Sequence, residues 1–454
     1  MYKFATYKDQ YKANLRLALP VVLTQLGQIL TQVADNLMVG RYGGSDPTPL
    51  AAVSFGGAVF FILFIAAVGI ALGMTPLVGE LYAQGDREKS AGLLQNGTLF
   101  YGLLGLTMAV VQYAAIPLLY HLGQPAEVVD MAIPCYKMLV YSMPFIMLFF
   151  TFKQFLEGVG NTKVEMFVTI AANLANIGFN WVFIYGRYGF PEMGAEGAGL
   201  ATFLSNCVAC LYFFVLLYVK RGRTYVCVNP KMFSFKRHIV VGVCAVGIPA
   251  SIQNLLNVTG MSVLNNFTSA FGSNAVAAMG IAQKINSVTV QIALGLSQGI
   301  MPLISYNYAS GNIKRMKKTF FFTARIALVF LVLMEIAYYA GARTWVGLFM
   351  QDQQIVDYGA RFLQGFCLGM PFLAIDFLAV GVFQACGLGK NAFLFAILRK
   401  VVLEIPALFI LNALFPLYGL AYAQFAAELV LAIAAVIVLA RLFRKLERRY
   451  QPKG

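Results

Sequence analysis

Hydrophobic residues along this chain fall into twelve long blocks, separated by short stretches in which charged and polar residues collect. The blocks lie near 15–39, 50–78, 94–119, 131–156, 164–186, 194–219, 239–267, 275–306, 319–345, 358–384, 391–415 and 418–441. A helix of about 20 apolar residues spans the ~30 Å hydrocarbon core of a bilayer, so every block is long enough to cross a membrane. The pattern predicts an all-α polytopic membrane protein with twelve transmembrane helices.

The composition of the 454 residues supports the same fold class. Hydrophobic residues make up 59% of the chain and charged residues only 12%. A water-soluble domain has roughly twice that charged fraction, so a water-soluble fold is excluded.

The formal net charge of +15 reflects membrane topology. The loops after the even-numbered blocks and the two termini, with the block ends beside them, contain 24 of the 34 Lys and Arg residues, whereas the opposite loops and the block ends beside them contain only Arg41, Arg187, Arg343 and Arg361. The remaining six lie within the blocks. Because cytoplasmic loops are rich in Lys and Arg, this bias predicts that both termini are cytoplasmic. We therefore expect a multi-pass protein of the plasma (inner) membrane. Its expected partners include membrane lipids but no nucleic acid.

Histidine and cysteine do not form a recognisable catalytic or metal site in this sequence. The chain has two His and seven scattered Cys, and the Cys207–Cys210 pair has no His or Cys partner nearby. Zinc sites and histidine-based catalysis need such residues in clusters, so small packing roles are favoured for the cysteines. We expect no enzymatic activity and no cofactor.

An internal repeat divides the chain into two halves of six blocks. The segment Leu50–Lys89 recurs 226 residues later as Val276–Arg315, with Gly69 and Gly73 matching Gly295 and Gly299. An even number of spans gives both copies the same orientation, related by a pseudo-twofold axis along the membrane normal. The predicted domains are an N-terminal lobe at 1–219, a cytoplasmic linker at 220–238 and a C-terminal lobe at 239–454. Two such lobes are typical of transporters that work by alternating access.

Polar residues recur at helical spacing inside three of the apolar blocks. The first block contains Gln25, Gln28, Gln32 and Asp35, the fifth contains Thr169, Asn173, Asn176 and Asn180, and the seventh contains Asn254, Asn257 and Asn265. Each set lies on one helical face. We interpret Gln25, Gln28, Gln32, Asn173, Asn254 and Asn257 as polar walls of a substrate cleft. Hydrogen bonding between helices is the structural alternative.

Asp35 is the strongest candidate for coupling transport to an ion. Twenty helical residues from a cytoplasmic start place it in the outer half of the bilayer, where an ionised carboxylate costs up to ~2.5–3.5 kcal/mol. Such a group would bind a cation or take up a proton, and a Na⁺ site at Asp35 is the only metal site that the sequence suggests. A buried ion pair with Lys or Arg is the alternative.

Four other acidic residues lie inside apolar blocks. Asp376 has no local partner and is a candidate second ion site in the C-terminal lobe. Glu404 follows Lys400 by four residues, so a local ion pair explains it. Structural roles are favoured for Glu335 and Glu428.

Several motifs of this chain resemble the multidrug and toxic compound extrusion (MATE) family. The motifs are Asp35–Gly43 followed by Leu50–Val53, Pro76–Asp86 with its repeat at Pro302–Gly311, Leu156–Lys163, and Arg399 with Ile405-Pro406. The resemblance covers nearly the whole chain. It implies two six-helix lobes that export organic cations in exchange for Na⁺ or H⁺.

The resemblance also assigns roles to single residues. It implies that the first-helix acid is Asp35 and that Asn176 and Asn180 occupy the fifth-helix pattern of Asn and acid, with an amide in place of the second carboxylate. Asn257 stands where the NorM-like branch has Glu, so the DinF-like branch is favoured. The expected protein is a monomeric antiporter for small lipophilic cations, coupled to H⁺ or Na⁺.

Two other functions fit parts of the sequence. A flippase for a lipid-linked saccharide belongs to the same broader superfamily, but it would favour a cationic cavity. An intramembrane enzyme could use Asp35 and Asp376 as an aspartyl dyad, yet neither residue has a recognisable motif context.

Overall fold

The computed structural model describes residues 10–44, 46, 48–85, 87–122, 124–219, 237–350 and 352–450. These residues are almost entirely helical. The first eight helices are α1 (Gln10–Gly43), α2 (Thr48–Leu72), α3 (Met74–Ala83), α4 (Arg87–Ala114), α5 (Ala126–Gly158), α6 (Thr162–Ile184), α7 (Gly194–Val219) and α8 (Arg237–Ser269). They are followed by α9 (Ser273–Ala309), α10 (Ile313–Ala340), α11 (Ala342–Gly347), α12 (Gln353–Ala385), α13 (Gly389–Ile397), α14 (Ile405–Leu414) and α15 (Gly419–Tyr450). Residues Ile116–His121 form a short 3₁₀ helix.

Among the described residues, eleven helical stretches are long and apolar enough to cross a membrane, which confirms the all-α polytopic class. Helices α2 and α3 together make one of them, Thr48–Ala83. The block predicted at 391–415 is helical as far as Leu414, but a π-helical segment, Leu398–Glu404, separates α13 from α14. Neither α13 nor α14 alone is long enough to span a membrane, so this block is an interrupted helix.

The chain divides into two compact units whose boundaries fall inside helices. Leu23–Ser251 form one unit, here called the 23–251 unit, and the remaining described residues form the other, the 252–450 unit, which also contains residues 10–22. The boundaries lie in α1 and α8, close to the proline inside each helix, Pro20 and Pro249. The first half of each of these two helices therefore packs in a different unit from its second half. Residues 220–236, which make up most of the predicted linker at 220–238, lie outside the described residues. Five of the linker's basic residues are among them.

Repeat-related glycines hold the first halves of α1 and α8 against their units. In the 23–251 unit, Gly69 of α2 packs on the backbone of Ser251 in α8, and Gly73 packs on the Val243 carbonyl. In the 252–450 unit, the equivalent Gly295 and Gly299 of α9 lie against α1, where a Cβ would come within 2.9 Å of Val22 Cα and 2.5 Å of Ala18 Cα. Small residues four apart allow helix backbones to approach closely. The repeat thus encodes the same helix contact twice.

Each unit has its own apolar core. In the 23–251 unit, aromatic and Met side chains of α2, α4, α5 and α7 pack together, including the fully buried Tyr101, Met143 and Phe213. Tyr101 also donates a hydrogen bond to the Ile70 carbonyl over 3.1 Å. In the 252–450 unit, α12 is the central helix, and most of its side chains are buried against α9, α10 and α15.

Replacing Gly73 by Ala is expected to destabilise the protein. The new methyl group would collide with the backbone at Val243, which cannot rotate away as a flexible side chain could. Overpacking of this kind costs about 1–3 kcal/mol. The measurement is the fraction of monodisperse protein that survives heating in detergent.

The matched control is Gly57→Ala in α2, within the same membrane-spanning stretch as Gly73, where a Cβ meets no atom within 4 Å. This variant should be as stable as the wild type or slightly more so, because Ala favours a helix over Gly. Equal stability of the two variants would contradict the close packing at Gly73.

Candidate cation-binding site

The polar stripe of α1 runs along its second half, inside the 23–251 unit. Gln25 lies buried at the start of this half, Gln28 is half-buried, and Gln32 is exposed. Asp35 follows one turn later and is half-buried. The stripe therefore leads from the interior of the unit to a carboxyl group that is partly accessible.

Helix α6 supplies the hydrogen-bond partner of Asp35. Asn180 Nδ2 donates to Asp35 Oδ1 over 2.5 Å and also lies 3.1 Å from Asn176 Oδ1. Asn176 Nδ2 in turn lies 3.3 Å from Thr202 Oγ1 and 3.5 Å from Ser205 Oγ, both on α7. A chain of amide and hydroxyl groups across three helices thus orients the Asn180 donor toward the carboxylate.

Two contacts fix α1 against α6 on either side of Asp35. On one side, the Cα of Gly27 lies so close to α6 that a Cβ would come within 3.2 Å of Asn173 Nδ2. On the other, the Tyr185 hydroxyl donates to the Met38 carbonyl over 2.8 Å. Val39, Ile184 and Ala198 form a small apolar cluster beyond it. The position of the carboxyl group is therefore set by packing as well as by hydrogen bonds.

The charge of Asp35 has no basic counterpart within the described part of the chain, where no Lys or Arg forms an ion pair with it. Beside it, the buried Asn180 Oδ1 accepts no hydrogen bond from the described residues. Carboxylate and amide oxygens are hard ligands that suit small cations, and a lone carboxyl can instead take a proton. Both uses fit the donor set.

The structure brings together only part of the predicted site. Asp35, Asn176 and Asn180 form one hydrogen-bonded group, and Asn173 contacts the same stretch of α1. Asn254 and Asn257 are half-buried on α8 and belong to the 252–450 unit. The α7 hydroxyls of Thr202 and Ser205 were not predicted, because single hydroxyl residues in an apolar block have no distinguishing pattern.

The other acids of the apolar blocks have varied surroundings. The predicted local pair is confirmed, with Lys400 Nζ 2.6 Å from Glu404 Oε2. Glu428 pairs with Arg399 on another element. Glu335 is buried, and neither of its oxygens has a hydrogen-bond partner among the described residues.

A buried ionic group in the 23–251 unit was not predicted. Lys153 Nζ lies 3.2 Å from Glu165 Oε1 and 4.0 Å from Glu157 Oε1, and all three side chains are almost fully buried. The spacing of Lys153 and Glu157 by four residues was the available signal.

Sequence comparison identifies the family. A profile of the MatE family matches this chain twice, at residues 20–182 and again at 249–410. The chain belongs to the MatE family. The double match also confirms the internal duplication, since the two matched regions begin 229 residues apart.

Curated relatives of this MatE chain align over nearly its whole length. "Multidrug export protein MepA" of Staphylococcus aureus is 31% identical over 438 residues, which cover 94% of this chain and 93% of that protein. The protein of the same name from Staphylococcus saprophyticus is 28% identical over 434 residues, with the same coverage. The chain is therefore a multi-pass membrane transporter.

Solved MatE structures share the fold. An outward-facing multidrug resistance MATE family transporter of the MOP superfamily matches with a TM-score of 0.89 at 23% identity, covering 97% of both chains. A MATE crystal structure in a bent conformation matches with a TM-score of 0.90 at 24% identity and the same coverage. These likenesses support the helical architecture described above.

Proposed function

We propose that this protein is a secondary active multidrug efflux antiporter that exports lipophilic organic cations in exchange for H⁺ or Na⁺. The similarity to multidrug export proteins supports the substrate class. The observation that supports ion coupling is the half-buried Asp35, hydrogen-bonded to Asn180 and not ion-paired within the described chain. In the proposed cycle, a cation or proton taken up at Asp35 displaces the substrate and permits the return step.

The energetics of one coupled charge suffice for drug export. Exchange of one H⁺ or Na⁺ for one monovalent organic cation moves no net charge, so the membrane potential cancels and the concentration gradient of the ion is the driving force. A gradient of one pH unit supplies about 1.4 kcal/mol, which sustains a substrate gradient of about tenfold. Single-ion exchange at Asp35 is therefore enough for a useful efflux pump.

The proposed orientation follows from the basic loops, with both termini in the cytoplasm and the protein in the plasma (inner) membrane as a monomer. Within the family we favour the DinF-like branch, because Asn180 and Asn257 are amides where other members have carboxylates. The polar residues Gln25, Gln28, Gln32, Asn173, Asn254 and Asn257 are proposed to contact the substrate as it passes.

Export of a fluorescent cationic dye from energised cells, or its uptake into energised inverted vesicles, tests the function. Replacing NaCl by KCl at fixed pH identifies the ion: loss of export indicates Na⁺, and unchanged export that collapses with the pH gradient indicates H⁺. Export that persists without either gradient would contradict secondary transport.

Replacing Asn180 by Ala is expected to reduce ion-driven export about tenfold or more. Asn180 donates a hydrogen bond to Asp35, and hydrogen bonds to charged groups contribute about 1.5–3 kcal/mol. The initial rate of dye export at a fixed ion gradient measures the effect.

The matched control is Asn206→Ala on α7, whose side chain, among the described residues, donates only to the carbonyl of Thr202 on its own helix. It should export at the wild-type rate. If N180A and N206A behaved alike, Asn180 would have no special role at the carboxylate.

A further inference from the structure

A second cluster of buried charges lies in the 252–450 unit, far along the chain from Asp35. Its five members come from α12, the π-helical segment and α15, and each is at most 7% exposed. They are Asp376, Arg399, Lys400, Glu404 and Glu428. The cluster therefore contains three carboxyl groups and only two cations.

Two of the three carboxyl groups have a basic partner. Lys400 Nζ lies 2.6 and 2.7 Å from the two oxygens of Glu404. Arg399 approaches Glu428 Oε1 with two nitrogens, Nε at 2.7 Å and Nη2 at 2.6 Å. The Arg399 guanidinium also lies over the Phe377 ring, 5.0 Å from its centre, which holds it in this orientation.

Asp376 is the carboxyl group that remains. Its side chain is 1% exposed, and neither oxygen has a hydrogen-bond partner among the described residues. It faces Glu428, whose Oε2 is also buried without a partner, and the Arg399 guanidinium is nearby. On α10, which also packs against α12, Glu335 faces Cys367 instead, about two and a half turns from Asp376.

A net charge of −1 is expensive to bury in an apolar environment, because the charged groups lose their hydration. Two carboxyl groups that face each other avoid this cost by sharing one proton, as paired aspartates do in proteases. We propose that Asp376 and Glu428 share one exchangeable proton and form a second ion site of this transporter, in the 252–450 unit. A metal ion fits less well, because Arg399 would repel it, and the described residues include no group of three or more His, Cys, Asp or Glu side chains placed to hold one.

The site contacts α8, a helix that carries a proposed substrate-binding residue, through the Lys400–Glu404 pair. The π-helical segment contains Arg399, Lys400 and Glu404, and π-helical turns are commonly found at functional sites. Gly260 of α8 lies directly against the Lys400–Glu404 pair, where a Cβ would come within 3.1 Å of Lys400 Nζ. Asn257, a proposed substrate contact, lies one turn before Gly260. The coupling role of the site therefore rests on the proposed function, whereas the shared proton does not.

The charge count gives a direct test in the purified protein. Asp376→Asn or Glu428→Gln leaves two acids for two cations, and in E428Q the Asp376 carboxylate can replace the lost partner of Arg399. Both single variants should therefore keep a melting temperature within a few degrees of the wild type. The double variant leaves Arg399 buried without an acid and should lose most of the folded protein. If E428Q were as unstable as the double variant, Asp376 and Glu428 would not be interchangeable, and the proposal would be wrong.

Infrared spectroscopy tests for the proton itself. The carbonyl band of a protonated carboxyl group should be present in the wild type at neutral pH, and the same band should be missing from both single variants. If D376N and E428Q retained the full wild-type band, no shared proton would exist.

A transport measurement then tests the coupling. D376N should retain Asp35-dependent dye export but show a weaker dependence of steady-state dye accumulation on the pH gradient. An unchanged dependence would show that the proton is not exchanged during transport. Failure of the wild type to export dye would refute the proposed function and leave the stability and infrared results to decide on the shared proton.

Discussion

Replacing Asp35 by Asn is expected to abolish ion-driven dye export while leaving the protein folded. Asn has nearly the same shape and can still hydrogen-bond to Asn180, but it can neither release a proton nor neutralise a cation. The steady-state dye gradient should fall from about tenfold for each unit of imposed pH gradient to near one, because the driving force of the coupled ion is lost. Dye accumulation in energised vesicles measures this change.

The control for D35N is Asp46→Asn. Asp46 is an exposed acid after the end of α1 whose carboxylate accepts hydrogen bonds from the backbone amide and hydroxyl of Thr48. These hydrogen bonds keep the pKa of Asp46 below its usual value, so this acid stays ionised at neutral pH. D46N should export dye like the wild type. If D35N exported dye as well as D46N, Asp35 would have no role in ion coupling.

Replacing Lys153 by Met should produce the largest loss of stability among single substitutions in the 23–251 unit. The ammonium group lies between Glu157 and Glu165, and all three side chains are at most 3% exposed. Removing one partner of a buried ionic group typically costs about 3–5 kcal/mol, because the remaining charges are left uncompensated. Thermal unfolding in detergent, followed by size-exclusion chromatography, measures the loss.

Lys317→Met provides the matched control for the Lys153 substitution. Lys317 also forms an ion pair, with Glu447 at 2.8 Å, but both side chains are about one-third exposed. An accessible pair of this kind contributes about 0–1 kcal/mol. Similar melting temperatures for K153M and K317M would mean that the buried ionic group does not stabilise the unit.

The sequence predicted the helical class and the duplication well, because both depend on patterns that repeat along the chain. Apolar blocks of membrane length indicate helices, and the matched Gly69–Gly73 and Gly295–Gly299 pairs indicate two copies. The division of α1 and α8 between the two units was not predicted. Both halves of each helix are apolar, and hydropathy does not specify which neighbour an apolar helix contacts.

Site residues were likewise predicted where the signal is a local spacing, and missed where it depends on contacts between distant elements. Asp35, Asn176 and Asn180 were identified because each lies on a polar stripe at helical spacing. The Arg399–Glu428 pair was not predicted, because its members lie 29 positions apart on separate elements. Local spacing revealed the Lys400–Glu404 pair, whereas contacts between distant helices required the structure.

Coupled flux in proteoliposomes containing only the purified protein tests the central claim most directly. An imposed H⁺ or Na⁺ gradient, with the membrane potential clamped, should drive cationic dye against its own gradient in the wild type. The D35N protein, reconstituted at equal density, should move no dye uphill under either gradient. Uphill dye movement by D35N at the wild-type rate would contradict ion exchange at Asp35. Dye movement by the wild type that does not depend on either gradient would contradict it as well.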